Sequence, residues 1–283
     1  MPEGDSVYRA TARLHHALAG QSLLSSDFRV PALATTDLTA YAVHEVVPAG
    51  KHLLMRLRPP TIESPVFSAK PLTLHSHLLM EGRWDLYAPG ERWKKPAHTA
   101  RVVLKTAAVT AVGFDIAQVR LVPTEQESDL VGHLGPDLLG ANWDPVLAAD
   151  NLRRDPHQGI GQALLDQRIM AGVGNVYRCE ILFLRRLHPL TEVGQIADLP
   201  AVVQIAHRLL NVNKDRARRV TTGHERTREP LWVYGRAGKP CLRCGTRIEL
   251  LKIPFTPEGA ERDCYWCPHC QPAVSSPGAK MKE

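Results

Sequence analysis

The sequence predicts an α+β chain in which a β-sandwich with a leading helix is followed by a helical domain and a short cysteine-bearing hairpin. Three observations predict it. Apolar residues keep helical spacing over the first twenty positions, switch to short β-rich runs from about 43 to 122, and return to helical spacing after about 124. Turns containing Pro and Gly punctuate the β-rich stretch at the intervals of a sandwich or barrel. Five of the six cysteines fall within residues 241–270.

In the leading helix, Val7, Ala10, Leu14, Ala17 and Leu18 share one face, and Gly20 supplies a stop. Strands are expected at Val43–Val47, His52–Leu57, Leu72–Leu78, Arg101–Lys105, Val109–Phe114 and Val119–Val122. Pro59–Pro71 holds four prolines and reads as a loop. Helices are expected at Glu125–Val131, Pro145–Leu152, Gly161–Ile169, Val176–Leu187 and Leu199–Val212. From Leu231 short strands are expected to carry the cysteines, and residues 273–283 read as a disordered tail. The resulting division is 1–124, 125–230, 231–272 and the tail.

A chain of 283 residues, 44% hydrophobic and 23% charged, has the composition of a globular protein with room for two modest domains. Lys and Arg exceed Asp and Glu by 35 to 29, and the excess is local, with 15 against 8 between residues 151 and 240. A basic stretch suits a polyanion, usually nucleic acid, although an unevenly charged solvated surface gives the same count. No run of about 18 apolar residues occurs, so no membrane span is expected. The start, Met1-Pro2-Glu3-Gly4-Asp5, lacks the basic and apolar regions of a secretory signal, so the expected location is the cytosol.

In such a chain, clustered cysteines point to metal rather than disulfides. Cys241-Leu-Arg-Cys244 and Cys267-Pro-His-Cys270, with 22 residues between them, are paired knuckles able to hold one structural Zn2+ in a tetrahedron of thiolates. Cys264 offers a competing Cys264-Tyr-Trp-Cys267 pair. Pro268 and Gln271 favour a turn at Cys267–Cys270, whereas Tyr265-Trp266 reads as strand. Cys179 reads as a plain buried residue, and His269 as exposed rather than a ligand. Zinc would stabilise a hairpin too small for its own core, without defining a function.

Between two helical patterns lies Ala171-Gly172-Val173-Gly174-Asn175. Its glycines permit a tight reversal, and Asn175 is expected to cap the second helix, whose free N–H groups suit a phosphate. A plain helical hairpin has the same pattern. At the start, removal of Met1 would leave Pro2 as a secondary amine. An α-amino group titrates near ~7.7–8, so a useful fraction is neutral and able to attack a sugar C1′ as a nucleophile. Glu3 could supply or remove protons beside it.

With these pieces located, the chain resembles the formamidopyrimidine-DNA glycosylase/endonuclease VIII family over about residues 2–271. The resemblance rests on Pro2-Glu3-Gly4, Gly50-Lys51, His77-Leu-Leu-Met80-Glu-Gly82, and Leu164-Leu-Asp-Gln167 running into Gly172-Val-Gly-Asn175-Val-Tyr-Arg-Cys-Glu180. It continues through Val233-Tyr-Gly-Arg-Ala-Gly-Lys-Pro-Cys241 and Arg262-Asp-Cys-Tyr-Trp-Cys267-Pro-His-Cys270-Gln271. It implies a helix-two-turn-helix, a zinc-bound hairpin and a bifunctional DNA glycosylase/AP lyase of base excision repair.

The resemblance also implies roles. Pro2 is the nucleophile and Glu3 the acid/base that opens the sugar ring. Lys51, Asn175 and Arg262 grip phosphates around the lesion, with Lys51 counted in the catalytic set as well. Met80, flanked by Leu79 and Glu81, fills the gap left by the everted nucleotide. Taken singly, Lys51 reads as a surface lysine, Met80 as core and Arg262 as a solvated charge. The expected partner is damaged double- or single-stranded DNA, with the protein a monomer because no coiled coil or interface signature is visible.

Two departures bear on this. Ser6 stands where the family often has a second acidic residue, leaving Asp5 as a neighbouring substitute. Phe114-Asp-Ile-Ala-Gln-Val-Arg120 lacks the Arg-Arg-Phe segment of the oxidised-guanine branch. With Pro-Glu-Gly at the start, this implies the endonuclease VIII branch and oxidised pyrimidines. The alternatives are an oxidised-purine glycosylase of the same family, a non-catalytic zinc-finger DNA-binding protein, and a zinc-ribbon RNA-binding module.

Overall fold

A computed structural model describes residues 2–60, 70–223, 228–254 and 260–273. Most of the loop expected within Pro59–Pro71, and the tail from residue 274, lie outside the described residues. The chain forms two compact units, one ending at His133 and the next beginning at Leu134. No described helix is long and apolar enough to cross a membrane.

The first unit opens with helix α1, Gly4–Leu18. Val7, Thr11, Leu14 and Leu18 are its buried stripe, one residue per turn. Thr11 takes a place that apolar patterning gave to Ala10, because its hydroxyl is satisfied within the helix, donating to Val7 O at 2.8 Å. Eight strands follow: β1 Ser25–Phe28, β2 Ala42–Ala49, β3 His52–Arg58, β4 Leu72–His77, β5 Arg83–Tyr87, β6 Ala100–Lys105, β7 Thr110–Phe114 and β8 Gln118–Pro123. They form two antiparallel four-stranded sheets, ordered β1-β6-β7-β5 and β2-β3-β4-β8.

The main apolar cluster of this unit joins α1 to residues of both sheets, among them Val43, Leu53, Met55, Leu74, Val102 and Leu104. Along β6 the alternation is clean: Val102 and Leu104 belong to that cluster, while Val103 joins Val112, Phe114 and Tyr87 in a smaller one against Trp93. Strands β1 and β5 were absent from the sequence reading. Both are sheet edges, and β1 (Ser-Ser-Asp-Phe) carries too little apolar patterning to register.

The first unit closes with the short helix α2, Ser128–Val131, and the later described helices belong to the second unit. They are α3 Pro145–Arg153, α4 Ile160–Ala163, α5 Asn175–Arg185 and α6 Leu199–Asn213. The helix expected over Gly161–Ile169 is corrected to the single turn α4. Beyond it the backbone runs on in tight turns, such as Leu165 N to Gln162 O and Asp166 N to Ala163 O, and side chains add further bonds to it. Asp166 accepts from Arg168 N at 2.9 Å, and Gln167 donates to Leu165 O and Val173 O while accepting from Gly172 N. The cysteine hairpin is β9 Glu249–Pro254 paired with β10 Glu261–Trp266. Cys241, Cys244, Cys267 and Cys270 lie outside the strands, in or beside turns, while Cys264 is on β10.

Leu14 is 1% exposed and ties α1 to the sandwich. Replacing Leu14 by Ala should lower the unfolding free energy by about 2–5 kcal/mol, read as a lower denaturant midpoint with an unchanged slope.

Candidate functional site

The N-terminal residues are held by the start of α1. Glu3 is its N-cap, in extended conformation and fully buried. Glu3 N donates to Ser6 Oγ at 2.8 Å, and the Ser6 hydroxyl donates back to Glu3 O at 2.9 Å. Ser6 therefore fixes the turn that carries Pro2 and Glu3. Asp5 is also fully buried, and its carboxylate pairs with Arg9 at 3.4 Å across one helical turn.

Lys51 occupies the two-residue turn between β2 and β3, where Ala49 pairs with His52. Gly50 has φ of 58°, the left-handed value that a tight hairpin of this kind assigns to glycine at its first turn position. Next to Lys51, three imidazoles converge from β3 and β4. His52 Nδ1 lies 2.8 Å from His75 Nε2, and the ring centroids of His52 and His77 are 4.7 Å apart. Burial, reinforced by the neighbouring Lys51, Arg120 and other imidazoles, holds all three at about 4 and so neutral near pH 7. Sequence reading missed this cluster, since alternate histidines in a strand pattern read as ordinary half-buried positions.

Leu79, Met80 and Glu81 form the tip of the β4–β5 connection. Leu79 is 44% and Met80 56% exposed, so Met80 is not a core residue. The tip is held from outside itself. Leu79, at φ 49°, donates its N–H to His77 Nδ1 at 3.2 Å, and Gly82 N donates to Leu78 O at 2.9 Å. A Cβ on Gly82 would come within 2.5 Å of Leu78 O, so glycine is required there.

In the second unit, α5 collects the predicted phosphate-binding pieces. Its N-cap is Gly174, and Asn175 is the first helical residue, with no side-chain capping bond at that end. The expected capping role of Asn175 is thus corrected. Its amide instead donates to Asp263 O of β10 at 2.9 Å, beside Arg262. Arg178, fully buried, donates to the same carbonyl at 3.0 Å. Two side chains of α5 therefore fix the strand that presents Arg262. Two residues along, buried Glu180 accepts from Thr221 Oγ1 and from the N–H groups of Trp232, Val233 and Tyr234. Burial pushes its carboxyl up against the pull of those four donors.

The sulfur atoms of Cys241, Cys244, Cys267 and Cys270 all lie within 4.8 Å of one another, so these residues could hold a metal ion. Two edges measure 3.9 Å (Cys241–Cys270) and 3.5 Å (Cys244–Cys267). A tetrahedron with metal–sulfur bonds of ~2.3 Å has edges of about 3.8 Å, so the donor set fits. Cys264 faces away from this set, with its sulfur 3.8 Å from that of Cys179. Gln271 links the second knuckle to α5, accepting from Cys267 N and donating to Leu187 O, both at 2.9 Å.

Residues 1–122 match the formamidopyrimidine-DNA glycosylase N-terminal domain, and residues 134–218 match the formamidopyrimidine-DNA glycosylase H2TH domain. The chain is 50% identical over 275 residues to the probable endonuclease 8 2 of Streptomyces coelicolor, covering 96% of this chain and 94% of that protein. It is 45% identical to the DNA-(apurinic or apyrimidinic site) lyase Nei2 of Mycolicibacterium smegmatis, covering 96% and 100%. Among solved structures it is similar to Lactococcus lactis Fpg (MutM) in complex with DNA containing N7-benzyl-Fapy-dG. That match has a TM-score of 0.76 at 25% identity and covers 96% of this chain and 100% of the other.

Two outcomes follow from this geometry. Arg178→Met should leave the helical core folded while speeding amide exchange in β10 around Asp263 by at least tenfold, read by hydrogen exchange. The histidines titrate in the folded protein at about 4, below their ordinary value near 6.5, so the unfolded chain binds more protons between those limits. Their contribution to stability is complete above pH 6.5 and is lost as the pH falls towards 4. Melting temperatures over that range should fall less steeply for His52→Gln than for the unsubstituted protein.

Proposed function

The chain belongs to the formamidopyrimidine-DNA glycosylase/endonuclease 8 family, and from that membership we propose a residue-level account of its reaction. It is a DNA glycosylase and AP lyase of base excision repair. The observation that carries the account is the Pro2-Glu3 pair at the start of α1, where Ser6 braces the turn and Glu3 is fully buried.

With Met1 removed, the neutral Pro2 nitrogen attacks C1′ of the damaged nucleotide and loses its proton, and the C1′–base bond breaks with its electron pair leaving on the base, which takes up a proton. Glu3 delivers a proton to the ring oxygen as the sugar opens, leaving an iminium joined to Pro2. Loss of a C2′ proton expels the 3′ phosphate, and a second elimination expels the 5′ phosphate, leaving a one-nucleotide gap. Lys51 is assigned to the phosphate beside the lesion, and Asn175 and Arg262 to flanking phosphates. Leu79, Met80 and Glu81 fill the space vacated by the everted nucleotide, a role supported by the exposure of Leu79 and Met80.

One Zn2+ is the metal assigned to Cys241, Cys244, Cys267 and Cys270, since four thiolates at tetrahedral spacing are its usual structural set. It supplies no chemistry to the reaction; it holds the hairpin that carries Arg262. The finer assignments are a monomer acting in the cytoplasm on double- or single-stranded DNA with oxidised pyrimidines. The division is a catalytic sandwich at 1–124, a DNA-binding helical segment at 125–230 and a zinc finger at 231–272.

Borohydride should trap a covalent complex on duplex DNA carrying an abasic site or a dihydrouracil, and Pro2→Gly should abolish it while largely sparing DNA binding. Undiminished trapping by that variant would remove Pro2 from the mechanism. Trapping on the abasic duplex alone would leave the lyase and overturn the pyrimidine assignment. Cys244→Ser should lose bound zinc and DNA affinity together, measured by metal analysis and fluorescence anisotropy.

A further inference from the structure

The imidazole cluster beside Lys51 has an unusual charge environment. His52, His75 and His77 project from one face of the β2-β3-β4-β8 sheet, as the pairing of His52 with His77 and of Leu54 with His75 requires. The charged and titratable groups that act on them are Lys51 at the β2–β3 turn, Arg120 on β8, His133 and the three rings themselves. Further along the same face the Glu127 carboxylate is held by Arg56 and Thr73. His75 is 2% exposed, and its Nδ1 has no hydrogen-bond partner among the described residues. Buried imidazoles crowded by cations stay neutral, and an anion docked against them raises their affinity for a proton.

His77 links this cluster to the β4–β5 tip. Its Nδ1 accepts the Leu79 N–H, so the neutral ring carries its proton on Nε2. The only basic atom left on the ring is therefore the atom that holds Leu79. Protonation of His77 and the bond to Leu79 exclude each other. Leu79 is held at φ 49°, a backbone conformation that a leucine adopts at a cost, so the tip depends on such a latch.

We propose that His77 is a proton-operated latch on the 78–82 tip, opened when a DNA phosphodiester docks beside Lys51 and draws a proton onto the ring. The phosphate brings negative charge beside the rings, the proton comes from solvent, and the Leu79 N–H is released. The tip is then free to leave its resting conformation and enter the duplex. His77 acts as a positioning residue, working through the loop. The inference rests on the assignment of Lys51 to a phosphate and of the tip to the vacated space.

The test uses the full chain and a duplex with a tetrahydrofuran abasic analogue beside 2-aminopurine, whose fluorescence reads insertion of the tip. Calorimetry in two buffers of different ionisation enthalpy reads proton uptake. In the unsubstituted protein, binding should take up a proton. Above the pKa of His77 in the complex, the insertion equilibrium should then fall about tenfold per pH unit. His77→Asn can accept the Leu79 N–H but cannot take the proton, so its tip should stay latched at every pH, with lower proton uptake. His77→Ala has no latch, and its insertion should be high and independent of pH. Melting temperatures identify any variant that fails to fold, and a long-range ¹H–¹⁵N spectrum of the unsubstituted protein reads Nδ1 protonation directly. Proton uptake and pH slope unchanged in His77→Asn, or Nδ1 unprotonated in the complex, would overturn the latch. Failure of the unsubstituted protein to bind the abasic duplex would instead overturn the functional reading beneath it.

Discussion

Helix α5 spends three buried positions on polar side chains, and the second unit is organised by what those side chains need. Asn175, Arg178 and Glu180 are all buried, and the contacts of the two charged ones are with carbonyls, backbone N–H groups and one hydroxyl rather than with an opposite charge. A buried charge left unsatisfied is strongly destabilising, whereas one that collects several hydrogen bonds is tolerated. The segments that supply those bonds, β10 at Asp263 and the stretch from Thr221 to Tyr234, are thereby tied to α5. Both segments also send apolar side chains, Val233 and Cys264 among them, into the same core. The hairpin adds a second constraint in its four thiolates, and Gln271 joins that knuckle to the end of α5 through Leu187 O.

The first unit solves a different problem. The positions proposed to act in it all lie at the ends of regular elements: Pro2 and Glu3 before α1, Lys51 at a two-residue turn, and Leu79 to Glu81 between two strands. Each is fixed by a local device. Ser6 closes the first turn of α1, Gly50 admits the turn that carries Lys51, and Gly82 admits the close approach of Leu78 O. The sandwich core behind them supplies rigidity without contributing a reacting group.

Much of this was legible in the sequence where one residue type at one spacing has a single physical meaning. The Cys-x-x-Cys pairs led to the four sulfurs that converge, and the apolar stripe of α1 and the runs of β3, β4 and β7 marked true elements. Legibility failed where a polar side chain bonds to the backbone. Gln167 and Asp166 brace turns where apolar spacing favours a helix, and Asn175, placed like a capping residue, reaches across to β10. Ser6 looked like a missing acid, yet its hydroxyl closes a capping box. Partners distant in sequence, such as Cys179 with Cys264 or Arg178 with Asp263, leave no local trace.

The β4–β5 tip separates a frame from its contents. The frame is Leu78, Gly82 and the His77 ring, which set the loop's path through backbone contacts. The contents are three exposed side chains that bury little against the rest of the unit. Substitutions at Met80 and Glu81 are thus nearly decoupled from folding, so drift and selection can act on what the loop meets without first satisfying the core. The tip is a position where descendants of one stable scaffold can diverge in preference while remaining equally well folded.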